Sequence, residues 1–255
     1  MLIDSHCHLD RLDLKPYGGD FSRWYEAALA HGVHHMLCVS INMQSYPAML
    51  ALVEPYPAIS VSVGVHPNET DEVEVSLDTL VQLAAHERVV AIGETGLDYY
   101  RTEGEQGWQH ERFRTHIHAA RVTRKPLIVH TREARQDTLA ILEQEQAQEV
   151  GGVIHCFTED WDTARRAMDQ NFYISFSGIV TFRNADELRD VARRMPADRY
   201  LIETDAPYLA PVPYRGKPNY PHYVSHVAAC MAELRGISIE QVREESAANY
   251  HALFG

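Results

Sequence analysis

Met1-Leu-Ile-Asp-Ser-His-Cys-His-Leu-Asp10 opens the chain, and the reading of this stretch decides the fold. Leu2 and Ile3 begin a short apolar run that closes on His6-Cys7-His8. In an extended strand alternate side chains share a side, so His6 and His8 project together while Cys7 faces away. Two neutral imidazoles at a strand end can hold one metal ion. Taken alone, the ten residues read equally well as a polar loop carrying two histidines. What separates the readings is whether other strands end in the same way.

Working outward, short apolar runs recur as Met36–Ile41, Ile59–Val65, Val89–Ile92, Leu127–Val129, Val153–Ile154, Phe172–Phe176 and Tyr200–Ile202. With Leu2–Ile3 they make eight expected strands, rich in Val and Ile and separated by amphipathic stretches. Phe113, Ile117 and Ala120 have helical spacing, Gly32 ends a helix expected through Trp24–His31, and Phe182 to Met195 has the same character. Alternating units with nearly continuous apolar strands imply a parallel sheet covered by helices. Closed on itself, such an α/β sheet is a (β/α)8 TIM-type barrel. Beyond strand eight come a Pro-rich loop, Ala206 to Pro221, and extra C-terminal helices near Tyr223–Leu234 and Ile239–Leu253. The stripe Tyr223, Val227, Cys230, Met231, Leu234 is expected to pack on the barrel. No linker or internal repeat interrupts the chain, so residues 1–255 are read as one domain.

The 255 residues are 45% hydrophobic, enough for a large core. With 36 acidic against 23 basic residues the formal charge is −13, which argues against a protein that coats duplex DNA with a basic face. No apolar run approaches the roughly 20 residues that span a bilayer, and no secretory pattern opens the chain. The expectation is a cytoplasmic protein with no membrane association and no obligate protein partner. Cys7, Cys38, Cys156 and Cys230 lack metal-type or redox-type spacing and are read as reduced, small core residues.

Catalytic residues of such barrels sit where the strands run out at the C-terminal face. Here the ends read His6 and His8, then Val65-His66-Pro67, Gly93-Glu94, His130, His155 and Glu203-Thr204-Asp205. A lone histidine at a strand end is ordinarily structural, but six ends of this kind at one rim point to a metal centre. Four histidines with Glu94 and Asp205 exceed one tetrahedral ion and suit two ions about 3.5–4 Å apart. Glu94 is the expected bridge. A carbamylated lysine is excluded by position, because Lys125 precedes strand five and Lys15 and Lys217 lie in loops.

Further motifs support a family resemblance: Val63-Gly-Val-His-Pro67, Gly93-Glu-Thr-Gly-Leu-Asp-Tyr-Tyr100, Val129-His-Thr-Arg132, Gly152-Val-Ile-His-Cys-Phe157, Tyr173-Ile-Ser-Phe-Ser-Gly178, Glu203-Thr-Asp-Ala-Pro-Tyr-Leu209 and Asn249-Tyr-His-Ala-Leu-Phe-Gly255. With the opening stretch, these make the chain resemble the TatD family of metal-dependent deoxyribonucleases over its whole length. The resemblance implies His6, His8, Glu94, His130, His155 and Asp205 as metal ligands, and it places Arg101 and Arg132 in family motif positions. Asn219-Tyr220-Pro221 departs from the family, which usually has an acidic residue between Asn and Pro, and Glu159-Asp160 replaces a small-residue turn.

The expected chemistry is water activated by two divalent cations, with Asp205 accepting its proton and Glu94 joining the metals. Imidazole ligands favour zinc, manganese or iron, whereas the resemblance implies magnesium. His66 is assigned to a phosphate oxygen or the leaving group, with a structural role as its alternative. Glu203 is expected to orient a ligand histidine, with a structural ion pair as its alternative. Arg101, Arg132, Tyr99 and Lys217 are candidate substrate contacts, and Tyr99, Tyr100, Trp108 and Tyr208 can stack on bases or simply pack. His110, His116 and His118 fall on an expected helix and receive no role. The leading function is hydrolysis of DNA phosphodiesters from single-stranded or frayed ends. Hydrolysis of an amide or ester, including an aminoacyl-tRNA ester, is the alternative on the same metals, and a non-catalytic metal-binding module is the third reading.

Overall fold

A computed structural model of the chain describes residues 1–70, 73–102, 104 and 106–255. Its eight strands are β1 Leu2–Cys7, β2 Val33–Cys38, β3 Ile59–Val63, β4 Val89–Asp98, β5 Leu127–Arg132, β6 Gly152–Ile154, β7 Phe172–Phe176 and β8 Tyr200–Ile202. Between them run α1 Phe21–Ala30, α2 Tyr46–Val53, α3 Leu77–Ala84, α4 Gly107–Thr123, α5 Arg135–Gln144, α6 Trp161–Asp169 and α7 Asp186–Arg194. α8 Val224–Arg235 and α9 Ile239–Phe254 follow the last strand.

Every neighbouring strand pair is parallel and the order is sequential from β1 to β8. Closure comes from a parallel bridge between Cys7 and Ala206, with Asp205 N–H donating to His6 O at 2.9 Å and His8 N–H to Ala206 O at 2.7 Å. The expected (β/α)8 barrel is the observed one, nearly closed.

Alternation along the strands builds two apolar layers. Met36 and Cys38, Phe172 and Ile174, Tyr200 and Ile202 face outward into the layer shared with the helices. Leu37, Tyr173 and Leu201, the residues between them, join Ile3, Ala91, Ile128 and Val153 in a second cluster that fills the barrel. Tyr250 and Phe254 of α9 belong to that inner cluster, so the last helix floors the barrel. Asn249 pins it there by donating to Ala197 O at 2.9 Å and Tyr200 O at 2.8 Å. The α8 stripe behaves as expected: Val227 and Met231 are fully buried, and Tyr223, Cys230 and Leu234 pack on the core from its margin.

Local signals set the helix ends. Asp20 accepts from Ser22 N–H at 2.9 Å and opens α1, and Ser238 accepts from Gln241 N–H at 3.1 Å and opens α9. Gly236, with φ 67°, closes α8 in the left-handed conformation that glycine adopts without strain.

Two expectations need correction. β1, β4 and β5 run further than their apolar cores, so His6, Glu94 and His130 lie inside strands rather than past their ends. Polar side chains are tolerated there because the barrel mouth supplies each with a partner. Of the four free cysteines, Cys7 and Cys38 are core residues, but Cys156 and Cys230 are only partly buried. Cys156 sits on the mouth side of β6, its Sγ 3.2 Å from Ser177 Oγ.

Candidate metal centre

β4 places the central group. Its pairing with β5 shifts register between Ile92 and Thr95, and such an irregularity re-aims a side chain. Backbone crowding explains the glycines around it. A Cβ on Gly93 would stand 2.6 Å from Ile128 O, and one on Gly96 2.0 Å from His130 O. Glu94 N–H is held by Ser40 O at 3.0 Å, and its carboxylate, 2% exposed, is aimed into the mouth.

Five imidazoles surround that carboxylate. His155 Nε2 is 2.8 Å away, His130 Nδ1 3.1 Å, His6 Nε2 and His66 Nε2 3.3 Å, and His8 Nε2 3.8 Å. Asp205 closes the ring, 3.2 Å from His8 Nε2 and 3.8 Å from His6 Nε2. Glu203 lies behind His155, accepting from its Nδ1 at 3.3 Å and from Cys156 N–H at 2.8 Å.

For His8, His130, His155 and His66 the outer partner assigns the tautomer. His8 Nδ1 faces Val39 O at 2.9 Å, His130 Nε2 faces Asp98 Oδ2 at 3.1 Å, and His155 Nδ1 faces Glu203. Those partners only accept, so the proton sits on the outer nitrogen and the inner one presents a lone pair. His66 is the reverse. Its Nδ1 accepts from Asn68 N–H at 3.0 Å, which leaves the proton on Nε2, the nitrogen facing Glu94. Lone pairs consequently meet at His130 Nδ1 and His155 Nε2, 3.4 Å apart, and the His8 Nε2 lone pair lies 3.4 Å from His6 Nε2, whose ring has a buried Nδ1 without a hydrogen-bond partner. Only a proton or a cation between such acceptors relieves the repulsion, so the donor set fits divalent metals. His6, His8 and Asp205 form one ligand group, and Glu94, His130 and His66 another, while His6, His155 and Glu203 form a third. In the second group the tautomer makes His66 a donor rather than a ligand.

Electrostatics follow from this crowding. Burial pushes the Glu94 carboxyl up, but the imidazoles, His155 and His66 first, outweigh it and hold Glu94 well below the usual carboxylate range. Burial lowers His66 despite Glu94 beside it. His155 is buried too, yet Glu94 and Glu203 on either side raise it well above an ordinary imidazole.

The other expected contacts are scattered. Arg132 lies with its guanidinium 3.8 Å from the centre of the Tyr100 ring, and the Arg101 backbone N–H donates to Asp98 Oδ1 at 3.0 Å. Lys217 stands 6.0 Å from the Tyr214 ring centroid. The Tyr99 hydroxyl is committed at 2.6 Å to both His110 Nε2 and Asp137 Oδ2. Tyr208 packs edgewise on His8 at 6.0 Å. His116 is a buried structural residue, Nδ1 on Arg112 O at 2.8 Å and Nε2 accepting Val65 N–H at 3.0 Å. Lys125 bonds Val89 O at the opposite end of the barrel from Glu94.

Two residues escaped the sequence reading. Asp98, 1% exposed, orients His130 and accepts from Asn68 Nδ2 at 2.8 Å. It lies four residues past Glu94, on the same side of a strand whose continuation the apolar run did not reveal. Asp4, fully buried, accepts from Thr204 N–H at 2.8 Å and Thr204 Oγ1 at 2.5 Å, tying β1 to the segment that carries Glu203 and Asp205.

A parallel barrel whose mouth holds imidazole lone pairs around a shared carboxylate belongs to the class of metal-dependent barrel hydrolases. The model of one family, described as TatD related DNase, matches residues 3–255. The chain is 50% identical over 254 residues to the metal-dependent hydrolase YcfH of Escherichia coli K12, covering 99% of this chain and 95% of that one. It is 34% identical over 234 residues to the 3'-5' ssDNA/RNA exonuclease TatD of Citrobacter koseri, covering 89% and 90%. The crystal structure of YjjV, a TatD homologue from Escherichia coli K12, superposes with a TM-score of 0.91 at 28% identity, covering 99% and 97%. The chain belongs to the TatD family and is a metal-dependent hydrolase.

Proposed function

We propose that the protein hydrolyses phosphodiester bonds of DNA from single-stranded or frayed ends, using two divalent ions held in the barrel mouth. The observation that carries this reading is Glu94, a buried carboxylate with five imidazoles around it, of which His8, His130 and His155 turn a lone pair inward and His66 a donor. His6, His8 and Asp205 would hold one ion and His130 and His155 the other, with Glu94 shared. Divalent cations there, whether magnesium, manganese or zinc, would supply the charge that polarises a phosphoryl oxygen and acidifies water. The name of the Citrobacter relative supports a nucleic-acid substrate.

The chain's own groups do the rest. An Asp205 carboxylate oxygen accepts the proton of the attacking water as its oxygen bonds to phosphorus. His66 Nε2–H donates to a phosphoryl oxygen or to the oxygen that leaves as the P–O bond breaks. Glu203 acts through His155, keeping its proton on Nδ1, and Asp98 acts in the same way through His130. Arg101, Arg132 and Lys217 offer cationic charge to the phosphates, and Tyr100 and Tyr208, 59% and 46% exposed, offer faces to unstacked bases. Tyr99, bonded to His110 and Asp137, positions the rim rather than the substrate.

The test is cleavage of end-labelled single-stranded DNA by metal-reconstituted protein, beside a closed circular duplex and an aminoacyl ester. Stepwise release of mononucleotides from the single strand, with the circle intact, is expected. Cleavage of the ester with every DNA end untouched would overturn the reading.

A further inference from the structure

A cavity of about 660 Å³ opens beside the centre, between the loop after β3 and the start of α4, with Asn68, Thr70, Arg101, Thr102 and Trp108 in its wall. It is one side chain removed from the reacting position. Asn68 Nδ2 donates to Asp98 Oδ2, and the same oxygen lies 3.1 Å from His130 Nε2.

The charge pattern of the wall narrows its ligand. Arg112 is saturated: Nε and Nη2 pair with Glu74 at 2.9 and 2.5 Å, and Nη1 donates to His66 O and Glu69 O at 3.0 and 2.7 Å. Arg101 has no ion pair among the described residues, and its exposed guanidinium is the wall's available cation. Among the described residues the remainder of the wall is uncharged, apart from the half-exposed Glu74 carboxylate already paired with Arg112. Trp108 is braced by Arg112, whose guanidinium carbon lies 4.8 Å from the ring centroid. Asn68 Oδ1 is buried without a hydrogen-bond partner, an acceptor that a ligand N–H can satisfy. A phosphate would meet Glu74 and find one cation. A flat aromatic with polar edges finds an indole to stack on and amide and hydroxyl groups at its rim.

We propose that this cavity is a nucleobase subsite, in which Trp108 stacks the base of the nucleotide next to the scissile phosphate. Arg101 contacts that nucleotide's phosphate at the cavity edge. The subsite rests on the nucleic-acid reading of the preceding section and names where the substrate's base lies. Its volume falls within the roughly 300–1,000 Å³ of small-molecule sites and accommodates one nucleotide.

Binding tests it independently of cleavage. Deoxyadenosine monophosphate is titrated against the full chain by equilibrium dialysis and tryptophan fluorescence, with deoxyribose 5-phosphate as the base-free control. The base-bearing ligand is expected to bind at least about tenfold more tightly, in keeping with the worth of one base stacked on an aromatic ring. Trp108→Leu should abolish that advantage, Trp108→Phe should restore most of it, and Trp161→Phe on α6 should bind as wild type. Arg101→Gln should weaken both ligands alike. Equal binding of the two ligands by wild type, or undiminished preference in Trp108→Leu, overturns the subsite. If the preference for the base holds while no DNA end is cleaved, the nuclease reading fails and the subsite stands.

Discussion

At the residue scale the centre depends on which nitrogen of each imidazole carries the proton, and for His8, His66, His130 and His155 that is decided by groups outside the cluster. In the proposed centre Glu94 is the charge that would let cations share the mouth. Glu94→Gln keeps the size and removes the charge, so kcat/KM on DNA should fall by about three or more orders of magnitude, with metal content per chain reduced. An enzyme that keeps most of its activity would place the shared ligand elsewhere. His66 differs from its neighbours because its Nδ1 is taken by Asn68 N–H. His66→Ala should lower kcat by roughly 10²–10³, the cost of losing one oriented donor, while metal analysis shows unchanged loading. His8→Ala, by contrast, should lose metal. Asp98→Asn leaves His130 in place but withdraws the carboxylate that fixes its tautomer, and metal affinity should weaken by about 10–100-fold in a metal titration.

At the element scale α4 does two jobs with its buried face. Phe113 and Ile117 fill the outer layer, while His116 holds Val65, the residue before His66, by a backbone hydrogen bond. Burial lowers His116 to about 4 from 6.5. Its folded pKa is depressed, so between these values the unfolded chain binds more protons. The contribution to stability is complete above about pH 6.5 and is lost as pH falls toward 4, by roughly 3 kcal/mol in all. His116→Gln should flatten that acid limb, read as the urea midpoint at pH 8 minus that at pH 5. An unchanged difference would show that another buried histidine governs it, such as His222, also lowered to about 4 by burial. β4 makes the parallel point for the sheet. Its register shift and the close approach of Gly96 to His130 O leave no room for a side chain, so Gly96→Ala should destabilise the strand and misplace Glu94 and Asp98 together.

At the scale of the whole molecule, the proposed function requires a barrel with a formal charge of −13 to gather a polyanion at its mouth. Binding of single-stranded DNA should therefore weaken only modestly with salt, with a log–log slope corresponding to about two or three phosphates. A slope near that of a duplex-coating protein would require a basic track. No helix among the described residues is long and apolar enough to cross a membrane.

How much of this was legible in advance follows from the range of each interaction. Period-two apolar runs and helical stripes are local, so the (β/α)8 order, the α8 stripe and the ring of His6, His8, His66, Glu94, His130, His155, Glu203 and Asp205 could be read directly. The mouth collects these residues because parallel strands all end at one face. Strand lengths were not legible, because β4 and β5 continue through polar residues whose partners lie on neighbouring strands. For the same reason Asp98 and Asp4 stayed hidden: each is an ordinary carboxylate in sequence and becomes meaningful only against His130 or Thr204. Tyr99 looked available and is spent on His110 and Asp137, which follow it by 11 and 38 residues. Residue type and spacing along single strands and helices were enough for the architecture and for which side chains gather at the mouth. Only the tertiary structure decided proton positions, second partners and the cavity beside the centre, because each depends on groups that chain folding brings together from distant positions.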